Sequence, residues 1–321
     1  MDALLRDVRA AVASGLPMVD TVFVGGGTPS IVNANDLMQV INALPLADDH
    51  EITIECNPDN VTTDLFGIYA REGVTRVSLG VQSMETHVLN VLGRTHNPDN
   101  VAFAVGVAKD VGIGEINLDL IYGSVGESLK DVERTITKVI SLAPTHVSAY
   151  GLTVEPGTPL SRDPSRFPDD DDEADKYMCI NDALESAGYF NYEISNWAHP
   201  GSECRHNLLY WRQGNYRGFG AAAHSHLDGR RFWNLRTPER YIEAVNNGST
   251  TEASFELLDA DARLMERLQL ALRMREGVPV KHFTASDQEL LAEMLVVEDG
   301  VARLNPRGRL LANEIAVRLV P

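Results

Sequence analysis

The feature that most constrains this chain is a rhythm. Five short runs rich in β-branched and apolar residues lie at 21–24, 51–55, 76–80, 116–121 and 146–152, and helix-period stretches separate them at 36–44, 62–72, 97–111 and 128–142. Strands that recur every roughly 25 to 35 residues with a helix between them run parallel, because each connection must cross the sheet, and such crossovers are right-handed. The expected fold class is therefore α/β, a parallel sheet or barrel. A further helix opens the chain, with Leu4, Leu5, Val8, Ala11 and Val12 at helical spacing and Gly15 as its stop.

After Pro156 the rhythm changes. The stretch GTPLSRDPSRFPDDDDE has the proline and acid content of a linker, and its run Asp169 to Glu173 reads as a solvated linker or a helix start. A helix at 174–187 and one strand at 192–197 are expected next, followed by a segment at 206–234 dense in aromatics and glycine. Helices at 259–275 and 287–295 precede a hairpin-like end that reads as a small winged-helix-like domain. The expected divisions are a barrel core at 1–160, a linker and aromatic segment at 161–250, and the winged-helix-like domain at 251–321.

Composition narrows the function classes. A formal charge of -18 over 321 residues argues against nucleic acid or an anionic membrane as the main partner, since both attract basic patches. It leaves peripheral membrane contact open. No apolar run approaches the roughly 18 residues of a membrane span, and MDALLRDVRA carries charges where a signal peptide is apolar, so a cytoplasmic protein is expected. Cys56, Cys179 and Cys204 are far apart in sequence and encode neither a disulfide framework nor a local metal site.

In a parallel α/β sheet, ligands bind beyond the carboxyl ends of the strands. Those positions here carry Gly25, Gly26, Gly27 and Thr28 after the first run, Glu55 with Asn57 and Pro58 after the second, and Gln82 after the third. The fourth contains Asp119 and leads to Tyr122, and the last leads to Thr153 and Glu155. The glycine run lacks the lysine of a phosphate loop and the spacing of GxGxxG. Taken alone it is a tight turn with Pro29 opening a helix, or a backbone cradle suited to a small zwitterion. Glu55 and Asp119 are each structural carboxylates or ligands, and their gathering at one rim favours the second.

The motifs VFVGGGTPS, EITIECNPDNVT, VSLGVQSME, LGRTHN, INLDLIYG, YGLTVEPGTPL, HNLLYW and GFGAAAHS occur in this order over nearly the whole chain. With them the sequence resembles the oxygen-independent coproporphyrinogen III oxidase family of radical S-adenosylmethionine proteins, and within it the haem chaperone branch. The resemblance implies a (β/α)6-type barrel. It also implies that Gly26, Gly27 and Thr28 receive the amino and carboxylate ends of S-adenosylmethionine, with Glu55, Gln82, Arg94, Asp119 and Thr153 as further contacts. The family's CxxxCxxC motif, whose thiolates hold a 4Fe-4S cluster, falls upstream of the opening helix and is not in this sequence. Cys56 is no substitute, because a cubane normally takes four ligands. The expectation is a barrel lacking its first strand, with Met1 an internal or mis-called start, and no radical catalysis by the chain as written.

An imidazole can ligate haem iron and aromatic rings can cover a porphyrin face, so His206 with Asn207, Tyr210 and Trp211 suits haem. A core histidine beside ordinary packing aromatics is the plainer chemical reading. The HNxxYW pattern resembles the haem-binding signature of the chaperone branch, which implies a protein that binds haem through His206 and delivers it to acceptor haem proteins, respiratory ones included. Cys204, His224 and His226 stay open as alternative iron ligands. The competing function is oxidative decarboxylation of coproporphyrinogen III, with 4Fe-4S cluster and S-adenosylmethionine, in a longer form of the protein.

Overall fold

The computed structural model describes every residue except Thr95 and Pro159, so those two positions of the LGRTHN and YGLTVEPGTPL motifs lie outside the described residues. By compactness the chain divides into two units. One comprises Phe23–Val32 with Ile52–Glu203, the other Met1–Val22, Asn33–Glu51 and Cys204–Pro321.

The strands β1 (Val19–Val24), β2 (Leu46–Cys56), β3 (Arg76–Gln82), β4 (Glu115–Tyr122), β5 (His146–Gly151), β6 (Phe190–Glu193) and β7 (Asn196–Ala198) form one curled half-barrel sheet in the order β1-β2-β3-β4-β5-β7-β6. The pairs from β2 to β5 are parallel, as the sequence rhythm requires. Helices α1 (Asp2–Ala13), α2 (Ala34–Ile41), α3 (Thr63–Arg71), α4 (Thr86–Val91), α5 (Asp99–Asp110), α6 (Leu129–Ser141) and α7 (Asp170–Ser186) alternate with them. Four of these helices start at a capping side chain, whereas α1 and α5 have none. Asn33, Thr62, Ser128 and Asp169 accept backbone N–H bonds at the starts of α2, α3, α6 and α7.

The acidic run at 169–173 is thus a helix start. Its charge is matched in part by Lys176, whose buried ammonium donates to Asp172 (2.5 Å) and to the Glu127 carbonyl (2.7 Å).

Two expectations need correction. The single strand at 192–197 is a hairpin of β6 and β7, antiparallel to each other, and β7 joins β5 antiparallel. Its two-residue turn, Ile194 and Ser195, carries no glycine or asparagine signal. It is held by the Asn191 amide, which donates to the Glu193 carbonyl (2.6 Å), and by a contact between Asn196 and the Glu193 carboxylate. The helix at 287–295 is also shorter than its periodicity suggests, because the β-branched pair Val296 and Val297 draws Leu295 into a strand that pairs with Leu304.

The remaining strands and α-helices of the described residues lie between Cys204 and Pro321. Helix α8 (Arg205–Trp211) precedes an antiparallel sheet of β8 (His224–Leu227), β9 (Arg230–Asn234) and β10 (Glu252–Leu257), with α9 (Pro238–Asn246) between the last two. Helix α10 (Ala260–Ala271) leads to the winged-helix-like end. This end is a sheet of β11 (Val278–Pro279), β12 (Leu295–Glu298) and β13 (Val301–Leu304), flanked by α11 (Ala285–Leu290), α12 (Pro306–Leu310) and α13 (Ala312–Ala316).

The core of the larger sheet sits on β3 and β4, where Val77, Leu79 and Leu118 are wholly buried. Each such side chain contributes about 1.5–3 kcal/mol. Leu79→Ala should cost about 2–5 kcal/mol of stability, read by denaturant unfolding of the ligand-free protein.

Candidate functional site

The rim residues of the sheet are positioned by strand register. Across β3, β4 and β5, Ser78 lies opposite Asn117 and Asn117 opposite His146, while Gly80 lies opposite Asp119 and Asp119 opposite Ser148. Side chains directly opposite share one face, so these polar groups form two adjacent layers. Asp119 accepts from Ser78 Oγ (2.6 Å) and Asn117 Nδ2 (2.7 Å). Asn117 is oriented by His146, whose Nδ1 lies 2.6 Å from its Oδ1, and His146 Nε2 meets the Tyr192 hydroxyl at 2.8 Å. Burial holds the His146 pKa well below its ordinary value, so the ring is neutral.

Glu55, at the end of β2, reaches the glycine run. Gly26 N–H donates to its Oε2 (3.3 Å), and a Cβ on Gly25 would stand 2.9 Å from the same carboxylate and would displace it. Gly26 has φ of 108°, a backbone that favours glycine, and beside Gly27 the space is open. Burial raises the Glu55 pKa, nearby Asp119 raises it further, and the Gly26 N–H opposes both. Burial also raises that of Asp119, against its hydrogen bonds from Ser78, Ser148 and Asn117. Two carboxylates that resist ionisation beside an open glycine backbone fit a ligand with a cationic amine and an anionic carboxylate, the two ends of S-adenosylmethionine's methionine.

Gln82 is buried at the end of β3 with φ of 62°, and its amide would lie 3.1 Å from a Cβ on Gly80. Thr28 is half-buried, while Arg94 and Thr153 are exposed. Among the described residues no hydrogen bond joins Arg94 or Thr153 to Glu55 or Asp119. Pro29 does open a short helix, Pro29–Ile31, so the glycine run is a turn whatever else it does.

The three cysteines sit on β2, on α7 and just before α8. Among the described residues, the potential metal-binding side chains that converge in a group of three are Glu85, His87 and Asp131, with no cysteine among them. Arg134 already engages both of those carboxylates. Among the described residues, Cys56, Cys179 and Cys204 form no such converging group.

His206 lies in the first turn of α8. Buried Glu51, on β2, holds that turn by accepting from Arg205 N–H (3.1 Å), His206 N–H (3.0 Å) and the Cys204 thiol (3.6 Å). His206 as a residue is 9% exposed. Its Nδ1 lies 2.7 Å from Thr21 Oγ1 and its Nε2 2.8 Å from the Tyr210 hydroxyl. Burial pushes its pKa down to about 4, opposed by the Glu51 carboxylate. The Tyr210 ring stands edge-on to both His206 (4.8 Å between centroids) and Tyr216 (4.7 Å). Asn207 and Trp211 are half-buried on the same helix. The Trp211 indole nitrogen is buried without a hydrogen-bond partner.

Of the alternative ligands, His226 has both ring nitrogens bound to backbone, the Gly214 carbonyl and the Gly229 N–H. Cys204 is buried on Glu51, and exposed His224 stacks on Trp233. The roles of Thr21, Glu51, Ser78, Asn117 and His146 are not evident from motifs. The signal for the last three was polar residues at every second position of otherwise apolar strands.

A raised carboxyl pKa means that the folded state prefers the protonated form, so stability falls as pH rises from the ordinary carboxyl range through the raised value. Glu55→Gln should therefore raise the melting temperature of the ligand-free protein at pH 7, with the gain vanishing below the ordinary carboxyl range. A calorimetric pH series measures this.

The sequence matches the Radical SAM superfamily over residues 1–139. The haem chaperone HemW of Mycobacterium tuberculosis is 40% identical over 332 residues, covering 99% of this chain and 85% of the relative. HemW of Escherichia coli is 40% identical over 77% of this chain and 69% of its own length, and HemW of Bacillus subtilis 32% identical over 98% and 89%. Among solved structures, Escherichia coli coproporphyrinogen III oxidase (HemN), a radical SAM enzyme, superposes with a TM-score of 0.84 at 20% identity over 98% of this chain and 81% of that one, a likeness of fold. By extended identity to these relatives, the chain belongs to the HemW haem chaperone family of the Radical SAM superfamily.

Proposed function

We propose that this protein binds haem and delivers it to acceptor haem proteins, on a scaffold that also binds S-adenosylmethionine. The observation that carries the reading is identity of 40% to a haem chaperone over 99% of the chain. The chemistry of the HNxxYW segment agrees with it. His206 is neutral near pH 7, so its nitrogen lone pair needs no deprotonation to meet iron, and Tyr210, Trp211 and Asn207 stand on the same short helix. His206 is the proposed iron ligand, ahead of Cys204, His224 and His226. Acceptors are haem proteins, respiratory ones among them, in the cytoplasm or at its membrane face. No helix among the described residues is long and apolar enough to cross a membrane.

The cofactor reading assigns Gly26, Gly27 and Thr28 to the amino and carboxylate ends of S-adenosylmethionine, with Glu55, Gln82, Arg94, Asp119 and Thr153 as further contacts. Its support is the open backbone beside Gly27 and the paired carboxylates. With the three described thiols dispersed, the cofactor binds weakly through these rim groups alone.

Titration of the purified protein with haem should shift the Soret band, and His206→Ala should weaken binding at least about tenfold with an unchanged circular dichroism spectrum. Anaerobic incubation with coproporphyrinogen III should leave the pigment unconverted. Vinyl-bearing product would favour the oxidase function.

Gly27→Ala separates ligand loop from turn. Its Cβ meets nothing within 4 Å in the ligand-free protein, so melting should be unchanged while calorimetric S-adenosylmethionine binding falls about tenfold. Unchanged binding would leave the glycines as architecture.

A further inference from the structure

The hydrogen bonds on the His206 ring carry an inference that rests on the reading of His206 as the iron ligand and goes beyond it. A neutral imidazole has one N–H and one lone pair, so of the ring's contacts with Thr21 and Tyr210 one is donated by the ring and the other is received. The two partners are hydroxyls of unequal acidity, Thr21 Oγ1 at 2.7 Å from Nδ1 and the Tyr210 phenol at 2.8 Å from Nε2. A phenol is much the stronger donor, since it ionises near pH 10 where an alcohol does not ionise in water. Tyr210 O–H therefore donates to Nε2, and Nδ1–H donates to Thr21.

Position agrees with chemistry. Thr21 is half-buried within β1, whereas Tyr210 is 42% exposed, so the Nε2 side is the one that a ligand from solvent can reach.

We propose that Thr21 is a positioning residue that fixes the His206 tautomer with Nε2 as the iron-ligating atom, and that the Tyr210 hydroxyl occupies that lone pair in the haem-free protein and is displaced when iron binds. The exchange is balanced. The Tyr210 O–H···Nε2 hydrogen bond breaks, the Fe–Nε2 bond forms, the phenol keeps its proton, and no electron moves. A neutral alcohol behind Nδ1 raises imidazole basicity less than the carboxylate found behind many metal-bound histidines. The resulting iron bond is of moderate strength, which suits a cargo that must leave again.

The test titrates haem into the full chain and its variants at pH 7. Tyr210→Phe keeps the ring and removes only the hydroxyl, and it should tighten binding about two- to tenfold, the worth of one neutral hydrogen bond. Thr21→Val should weaken binding about 10- to 100-fold, and Thr21→Ser should restore it. In the reduced complex, the Fe–His stretching frequency from resonance Raman should fall in Thr21→Val and recover in Thr21→Ser, a change that a purely structural role would not produce. If Thr21→Val does not fold, Tyr210→Phe and the Thr21→Ser frequency still decide. Weaker binding by Tyr210→Phe, or parental affinity and frequency in folded Thr21→Val, overturns the proposal. Should His206→Ala bind haem like the parent, the ligand assignment falls and this proposal with it. Loss of binding in His206→Ala alone, with the other variants unresponsive, refutes only the present inference.

Discussion

The structure depends on a rule about buried polar groups: each must find a partner or lose several kcal/mol on leaving water. Strands β3, β4 and β5 carry Ser78, Asn117, Asp119, His146 and Ser148 among residues such as Val77, Leu79 and Leu118 that are wholly apolar and buried. The parallel register sets them opposite one another, and the outcome is one connected network from Tyr192 through His146 and Asn117 to Asp119. A one-residue slip would move this set to the other face and strand every member. The network thus specifies register as well as orienting the rim carboxylate.

The same rule acts at α8. Glu51 is a buried side chain whose carboxyl oxygens accept from two backbone N–H groups and a thiol, and by doing so it fixes the first helical turn around His206. The histidine is neutral for the complementary reason: burial penalises the imidazolium more than Glu51 rewards it. A hydrogen-bonded carboxylate and a neutral imidazole, side by side, give a nitrogen ready for a metal on a helical turn that side-chain acceptors already hold. At the sheet rim the balance runs otherwise. Glu55 and Asp119 are both held above the ordinary carboxyl range, a destabilising arrangement that a cationic ligand would relieve, and such cost at a binding site is common.

Much of this was legible in the sequence. Alternation of β-branched runs with helix-period stretches determined the element order, because that signal acts between near neighbours in the chain, while the caps Asn33 and Asp169 start their helices two to four residues earlier than the periodicity indicates. The motifs from VFVGGGTPS to HNLLYW determined the family. The tertiary structure alone decided the rest. The β6–β7 hairpin rests on side-chain bonds among Asn191, Glu193 and Asn196 rather than on a turn signature. Thr21 and His206 are 185 residues apart, and Glu51 and His206 are 155 apart, so no local pattern couples them. A protonation state, a tautomer or a ligand's route to Nε2 depends on which groups approach the ring and how much water they exclude, and those are properties of the folded arrangement.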